Sequence, residues 1–289
     1  MKRIQPPLQD DLAELRSLVQ NENLGSYPEL MHNYLIFKSQ YENFYANQGN
    51  PWRIAPQEMS DDLKKSIRSH YKHPPKDTLE FIEKYRNELS PDVCPMCGSL
   101  KTGTIDHYLP KETYPEMSVF SMNLVPACDC NTRRGELTKG VDENERLAHP
   151  YYDEFLRDRL FKIEFEEEFL TPKISIVLLN PNHPQKKLLN FHLRSIVLAN
   201  NSVNWMNKSW ADICRRPYKL LRVSLDPGPV TLDSCREAIV RLRDHNDDLY
   251  ETKNSWPSIF YTGILENGNF LAQLSDITEQ DRRGSLAPS

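Results

Sequence analysis

The sequence predicts an α+β protein, in which a cysteine-stapled centre lies between a helical N-terminal segment and a mixed, mainly helical C-terminal region. Three observations predict it. Four of the six cysteines fall as two close pairs, Cys94/Cys97 and Cys128/Cys130, in polar, turn-rich sequence. Up to about residue 90, apolar side chains recur at helical spacing. Beyond residue 150, one alternating and one continuous apolar stretch read as strands before helical pattern resumes. The divisions are residues 1–90, helical; 91–150, the central module; 151–275, mixed; and 276–289, a polar tail read as disordered.

Taken in order, Leu12, Leu15, Leu18 and Val19 mark a first helix, and Leu30, Tyr34, Leu35, Phe37 and Tyr41 a second. A break between Pro51 and Pro56 precedes Ser60-Asp61-Asp62, a helix start ahead of Leu63, Ile67 and Tyr71. Pro74-Pro75 ends that helix, and Leu79, Ile82 and Tyr85 mark the next. The aromatic residues here are read as core packing in preference to base stacking. Phe161, Ile163 and Phe165 alternate with charge, Ile174 to Leu179 forms a second strand, and Glu166-Glu167-Glu168 between them is a solvated loop. Helical pattern runs from about Gln185 to Leu221. Asp226 to Pro229 is a turn, and Thr231 or Asp233 caps a helix that carries Ala238, Ile239 and Leu242 and ends near His245.

The 289 residues have room for a buried core, and the net charge of −5 is not that of a free-standing nucleic-acid binder with a basic stripe. No apolar run is long enough to span a bilayer, and the opening residues lack a signal-peptide pattern. Thiols paired on a metal suit a reducing compartment, so a cytoplasmic protein is expected. There is no Walker-type glycine loop and hence no expected ATP site in this chain. Arg215, Arg216, Lys219 and Arg222, near Trp205, Trp210 and Tyr218, are read as the solvated side of a helix that packs its aromatics. Cys214 and Cys235 have no Cys or His partner at ligand spacing and are read as buried thiols.

Two close pairs of thiolates are what a tetrahedral zinc needs, each pair offering two ligands from one turn. Between and after the pairs come Asp106-His107, Pro110-Lys111, Asn123-Leu124, and Asn131 with Arg133-Arg134-Gly135. This order over about forty residues resembles the zinc-stapled form of the HNH (ββα-metal) nuclease superfamily. The second pair, Cys-x-Cys, is one residue shorter than the family pattern and leaves His149 as an alternative to Cys130 for the fourth zinc ligand.

The resemblance implies a metal-dependent endonuclease that hydrolyses phosphodiester bonds, of DNA in preference to RNA. His107 would be the general base. Asp106 and Asn131 would hold a catalytic Mg²⁺ or Mn²⁺, and Asn123 would pin the loop beside the histidine by hydrogen bonds to its backbone. Cys94, Cys97, Cys128 and Cys130 would hold structural Zn²⁺. Lys111, Arg133 and Arg134 would meet the phosphates. The opening Met1-Lys2-Arg3-Ile4 and the stretch His149 to Asp153 also resemble retron-associated and Septu-type anti-phage HNH proteins, which implies a defence role and an ATPase partner. The competing readings are a non-catalytic zinc-containing subunit that binds nucleic acid or protein, and a nuclease latent until a partner activates it.

Overall fold

Asp10 opens the first helix: its side chain accepts from the Ala13 N–H at 2.9 Å, satisfying one of the donors that a helix start leaves unpaired. The computed structural model, which describes residues 1–76, 78–88, 91–166 and 168–285, places α1 over Asp11–Gln20 with Leu15, Leu18 and Val19 buried. The second expected helix is divided. α2 (Glu29–His32) and α3 (Tyr34–Ala46) meet at Asn33, whose side-chain amide donates to the Glu29 carbonyl at 2.9 Å and competes with the helical ladder. The division turns Leu35 to solvent and Phe37, Tyr41 and Phe44 into the core. α4 (Asp61–Lys72) starts as expected, with Ser60 Oγ accepting from the Leu63 N–H at 3.0 Å, and α5 (Glu80–Glu88) follows.

These helices buttress the central module through aromatic rings. Tyr41 stacks on Phe120 with centroids 4.2 Å apart, and Phe44 meets the same ring edge-on at 5.1 Å. The buried carboxylate of Asp11 makes a polar link, accepting from the Ser121 N–H at 2.8 Å, the Ser121 hydroxyl at 2.7 Å and the Tyr45 hydroxyl at 2.9 Å.

Glu116 is less well satisfied. It is fully buried in a short turn packed against α3 and α4. Its Oε1 accepts a long bond of 3.3 Å from the Gln57 N–H, and its Oε2 has no partner. Burial pushes this carboxyl up to about 7. Because the raised value belongs to the folded state, the fold favours the protonated form. Its contribution is complete below about pH 4.5 and is lost as pH rises through about 7. Glu116→Gln should therefore flatten this dependence and raise stability at pH 8 by as much as about 3 kcal/mol. Urea melts at pH 5 and pH 8 check it; equal pH sensitivity in variant and wild type would sink the assignment.

The C-terminal region begins with an antiparallel hairpin, β3 (Phe161–Glu166) and β4 (Lys173–Leu178), in the register Phe161↔Leu178 to Glu166↔Lys173 (β1 and β2 are described below). Glu166, expected in the loop, is instead the last residue of β3 with its side chain exposed; Glu168 is exposed beyond it, and Glu167 lies outside the described residues. Helix α7 (Lys186–His192) runs into a π-helical turn, Leu193–Val197, followed by α8 (Ser202–Arg215) and α9 (Pro217–Leu221). α8 buries Met206 and Trp210, while Arg215, Arg216, Lys219 and Arg222 are exposed. Cys235 is buried and Cys214 half-buried, and burial pushes both thiols up to about 12.

α10 (Leu232–Tyr250) is capped by Thr231, in reciprocal hydrogen bonding with Ser234, and continues past His245. α11 (Trp256–Glu266) packs between α10, α12 and β3 and is apolar on nearly every side. At Gly263 a Cβ would come within 2.2 Å of the Ile163 side chain, so only glycine permits this helix to lie on the hairpin. α12 (Gly268–Arg282) corrects the expected disorder from Asp276. Its start is capped by Asn267, its middle buries Phe270, Leu271 and Leu274, and its polar end is tied down. There the Asp281 carboxylate accepts from the Tyr218 N–H at 2.9 Å, and Glu279 pairs with Arg282 and Arg283 at 2.6 Å. Residues 286–289 of the expected tail lie outside the described residues. No helix among the described residues is long and apolar enough to cross a membrane.

Candidate metal centre and active site

Cys94 and Cys97 bracket a tight turn in which the Gly98 N–H donates to the Cys94 carbonyl at 2.9 Å. Gly98 itself has φ +79°, and a Cβ there would lie 2.2 Å from the Asn254 carbonyl oxygen. Cys128 directly follows a short strand, Leu124–Ala127, and Cys130 is the first residue of a short helix, Cys130–Arg134. The four buried Sγ atoms all lie within 4.8 Å of one another, and none forms a disulfide. Cys94 and Cys130 are 3.7 Å apart, Cys97 and Cys128 3.5 Å. A tetrahedral zinc with bonds of about 2.3 Å has sulfurs about 3.8 Å apart, so the set can hold a zinc ion. The Asn200 amide donates to Sγ of both Cys97 and Cys128 at 3.2 Å, the kind of outer support that orients thiolate ligands.

Cys130 thus completes the cluster despite the short spacing. As the first residue of a helix it is turned back toward Cys128, its own N–H donating to Cys128 Sγ at 3.4 Å. His149, the alternative, is fully buried elsewhere, with ring centroids 4.2 Å from Tyr108 and 4.8 Å from Tyr152.

The remaining expected residues lie on a ββα unit. β1 (Thr104–His107) pairs antiparallel with β2 (Leu124–Ala127), Asp106 opposite Val125 and His107 opposite Leu124, and α6 (Cys130–Arg134) follows. Asp106, His107, Lys111, Asn131 and Arg134 line one cleft of about 250 Å³ at its edge. Asn123 lies behind it. Its Oδ1 accepts from the Leu109 N–H at 2.7 Å, and its Nδ2 donates to the Leu109 and Met117 carbonyls at 3.0 and 3.1 Å. One buried amide therefore ties together both ends of the loop that starts just after His107.

His107 is held in one tautomer. Its Nε2 lies 2.9 Å from the Ser118 carbonyl oxygen, which only accepts, so in the neutral ring Nε2 carries the proton. Nδ1 is then a lone pair, buried and without a hydrogen-bond partner. Asp106 Oδ1 is 3.7 Å from it, too far for a hydrogen bond. Burial keeps the imidazole below the ordinary histidine value, outweighing the opposing pull of Asp106 and the Ser118 carbonyl. For Asp106, burial pushes the carboxyl up, but the His107 backbone N–H and the Arg134 charge more than offset this and hold it below the usual carboxylate range.

Part of this chain is similar to Protein ea31 of Escherichia phage lambda. The two are 30% identical over 151 residues, which are 49% of this chain and 51% of that protein. The chain therefore spans about half the length of this relative. No family model matches the chain, and no solved structure does.

The three expected phosphate contacts separate. Lys111 lines the cleft, its ammonium 5.8 Å from the Tyr71 ring. Arg133 is exposed and pairs with Asp129 at 3.2 Å. Arg134 lines the same cleft but is only 9% exposed, with its donors occupied internally. It donates to the carbonyls of His107 at 2.6 Å, Tyr108 at 3.0 Å and Leu137 at 2.8 Å, and to Asn131 Oδ1 at 3.1 Å. Its fork spans α6 and the end of β1, a use that a position in a basic tail does not reveal. Tyr71, which helical spacing marks only as a helix-face residue, meets the His107 ring edge-on at 4.3 Å and donates to the Ile105 carbonyl at 2.6 Å.

Proposed function

We propose that the protein is a metal-dependent endonuclease of the HNH type, hydrolysing phosphodiester bonds in nucleic acid, with DNA the first candidate. The observation that carries this reading is the lone pair of His107 Nδ1, left without a hydrogen-bond partner in a residue that lines one cleft with Asp106. In this reading His107 Nδ1 takes the proton from an attacking water. Asn123 and the Ser118 carbonyl keep the imidazole from turning, and Lys111 faces the phosphate.

The resemblance implies Mg²⁺ or Mn²⁺ at this cleft, and Asp106 suits it: a hard anionic oxygen, 30% exposed, in a recess that leaves other positions to water and phosphate. Such an ion supplies charge neutralisation on the phosphate and help for the departing 3′ oxygen. Zn²⁺ in the cysteine cluster is structural in this reading, since four thiolates leave no open position.

The test is cleavage of plasmid DNA, single-stranded DNA and tRNA by purified protein with added Mg²⁺ or Mn²⁺. Metal-dependent cleavage leaving 5′ phosphates is expected. Ends bearing 3′ phosphates would overturn the mechanism, and silence on every substrate would leave the non-catalytic zinc subunit and the nuclease latent until a partner activates it.

A further inference from the structure

Two residues that line the cleft each carry a buried polar atom without a partner, and the two atoms are complementary. His107 Nδ1 is an acceptor, and Asn131 Nδ2 is a donor. Asn131 is 2% exposed, and the orientation of its amide is set by Arg134, whose Nε–H donates to Oδ1 at 3.1 Å. Turned the other way, the amide would set N–H against N–H. Arg134 cannot readily move, because its other donors hold the His107, Tyr108 and Leu137 carbonyls.

This occupancy conflicts with the expected role of Asn131 as an ion ligand. A divalent cation on Oδ1 would stand about 2.1 Å from that oxygen. It would then face the guanidinium, already 3.1 Å from the same oxygen, across a buried space where like charges repel strongly. No guanidinium bonds Asp106, whose Oδ1 accepts from the neutral His107 N–H at 2.7 Å, and its own negative charge offsets the Arg134 charge that acts on it.

Resting on the endonuclease reading, we propose that Asn131 is a hydrogen-bond donor to a non-bridging oxygen of the scissile phosphate, oriented for that by Arg134, and that Asp106 is the protein's own hold on the ion. The cleft then offers an acceptor for the attacking water and a donor for the phosphate from two side chains whose orientations are fixed before substrate arrives.

Mn²⁺ binding measured by electron paramagnetic resonance, and oligonucleotide binding measured with the divalent ion omitted, separate the two roles. Both use the intact, zinc-loaded protein. Asn131→Ala should keep Mn²⁺ affinity within about twofold and lose oligonucleotide affinity by about tenfold or more, the worth of one hydrogen bond to a charged oxygen. Asn131→Asp should keep or tighten Mn²⁺ binding and bind the oligonucleotide more weakly still, while Asp106→Ala should lose Mn²⁺. Loss of Mn²⁺ in Asn131→Ala to the extent seen in Asp106→Ala, with oligonucleotide binding unchanged, would overturn the inference and leave the endonuclease reading intact. Wild type that binds neither Mn²⁺ nor oligonucleotide would overturn both. Melting curves for each variant separate these outcomes from misfolding.

Discussion

Stripping the ion from the cysteine cluster is expected to unfold much more of this protein than the turn that carries it. The Cys94–Gly98 turn is an anchor for distant segments. The Lys2 N–H donates to the Pro95 carbonyl at 3.0 Å, and His192 Nε2 meets the Met96 carbonyl at 2.7 Å. Trp256 donates to the Cys97 and Gly98 carbonyls, both at 2.9 Å. Four buried thiols without an ion must protonate or repel, and the turn loses what fixes it. Structural zinc contributes about 10–16 kcal/mol to small domains that depend on it, as much as the whole stability of a typical fold. Losing even about 5 kcal/mol lowers Tm by roughly 10 °C or more in a chain of this size. Zinc content and melting of Cys94→Ser and Cys130→Ser check this. A Cys130→Ser protein that keeps one zinc per chain and melts like wild type would refute the four-cysteine assignment.

His107→Gln is expected to reduce phosphodiester cleavage by about 10²–10⁴-fold, the range for loss of a positioned general base. Glutamine can still donate to the Ser118 carbonyl, so the loop should remain in place, but it has no basic nitrogen to present where Nδ1 stood. Substrate binding should change little, placing the loss in kcat instead of KM. A variant that cleaves at the wild-type rate would remove His107 from the mechanism, whatever its fold. Asn123→Ala should be damaging for a different reason: three hydrogen bonds to buried backbone disappear at once, so melting temperature and rate should fall together.

The sequence made legible those features that depend on short spacing. The two cysteine pairs, Asp106 beside His107, the cap at Ser60 and the hairpin at residues 161–178 each declare themselves within a few positions. The division at Asn33 was hidden because apolar spacing alone continues through it. α11 was hidden for the opposite reason: a helix apolar on nearly every side has little periodicity to detect. At the candidate site, Asn200 reaches the sulfurs from 103 and 72 positions away, and nothing in its own neighbourhood marks it. The Ser118 contact is made by a carbonyl oxygen, which any residue type would supply. The duty of Arg134 follows from burial, which a basic tail in a short motif does not announce.

The attachment of Trp256 to the cysteine turn has a consequence for the order of events during synthesis. The bond from its indole to the Cys97 carbonyl joins residues 159 positions apart. A chain emerging from the ribosome has all four cysteines in hand long before this partner appears, so ion capture can precede completion of the surrounding core. The last closure is a search between distant parts of the chain, the slow kind of step. Until it occurs, the turn lacks its covering helix and the hairpin at 161–178 lacks α11. The candidate centre therefore matures late, after most of the polypeptide that surrounds it has been made.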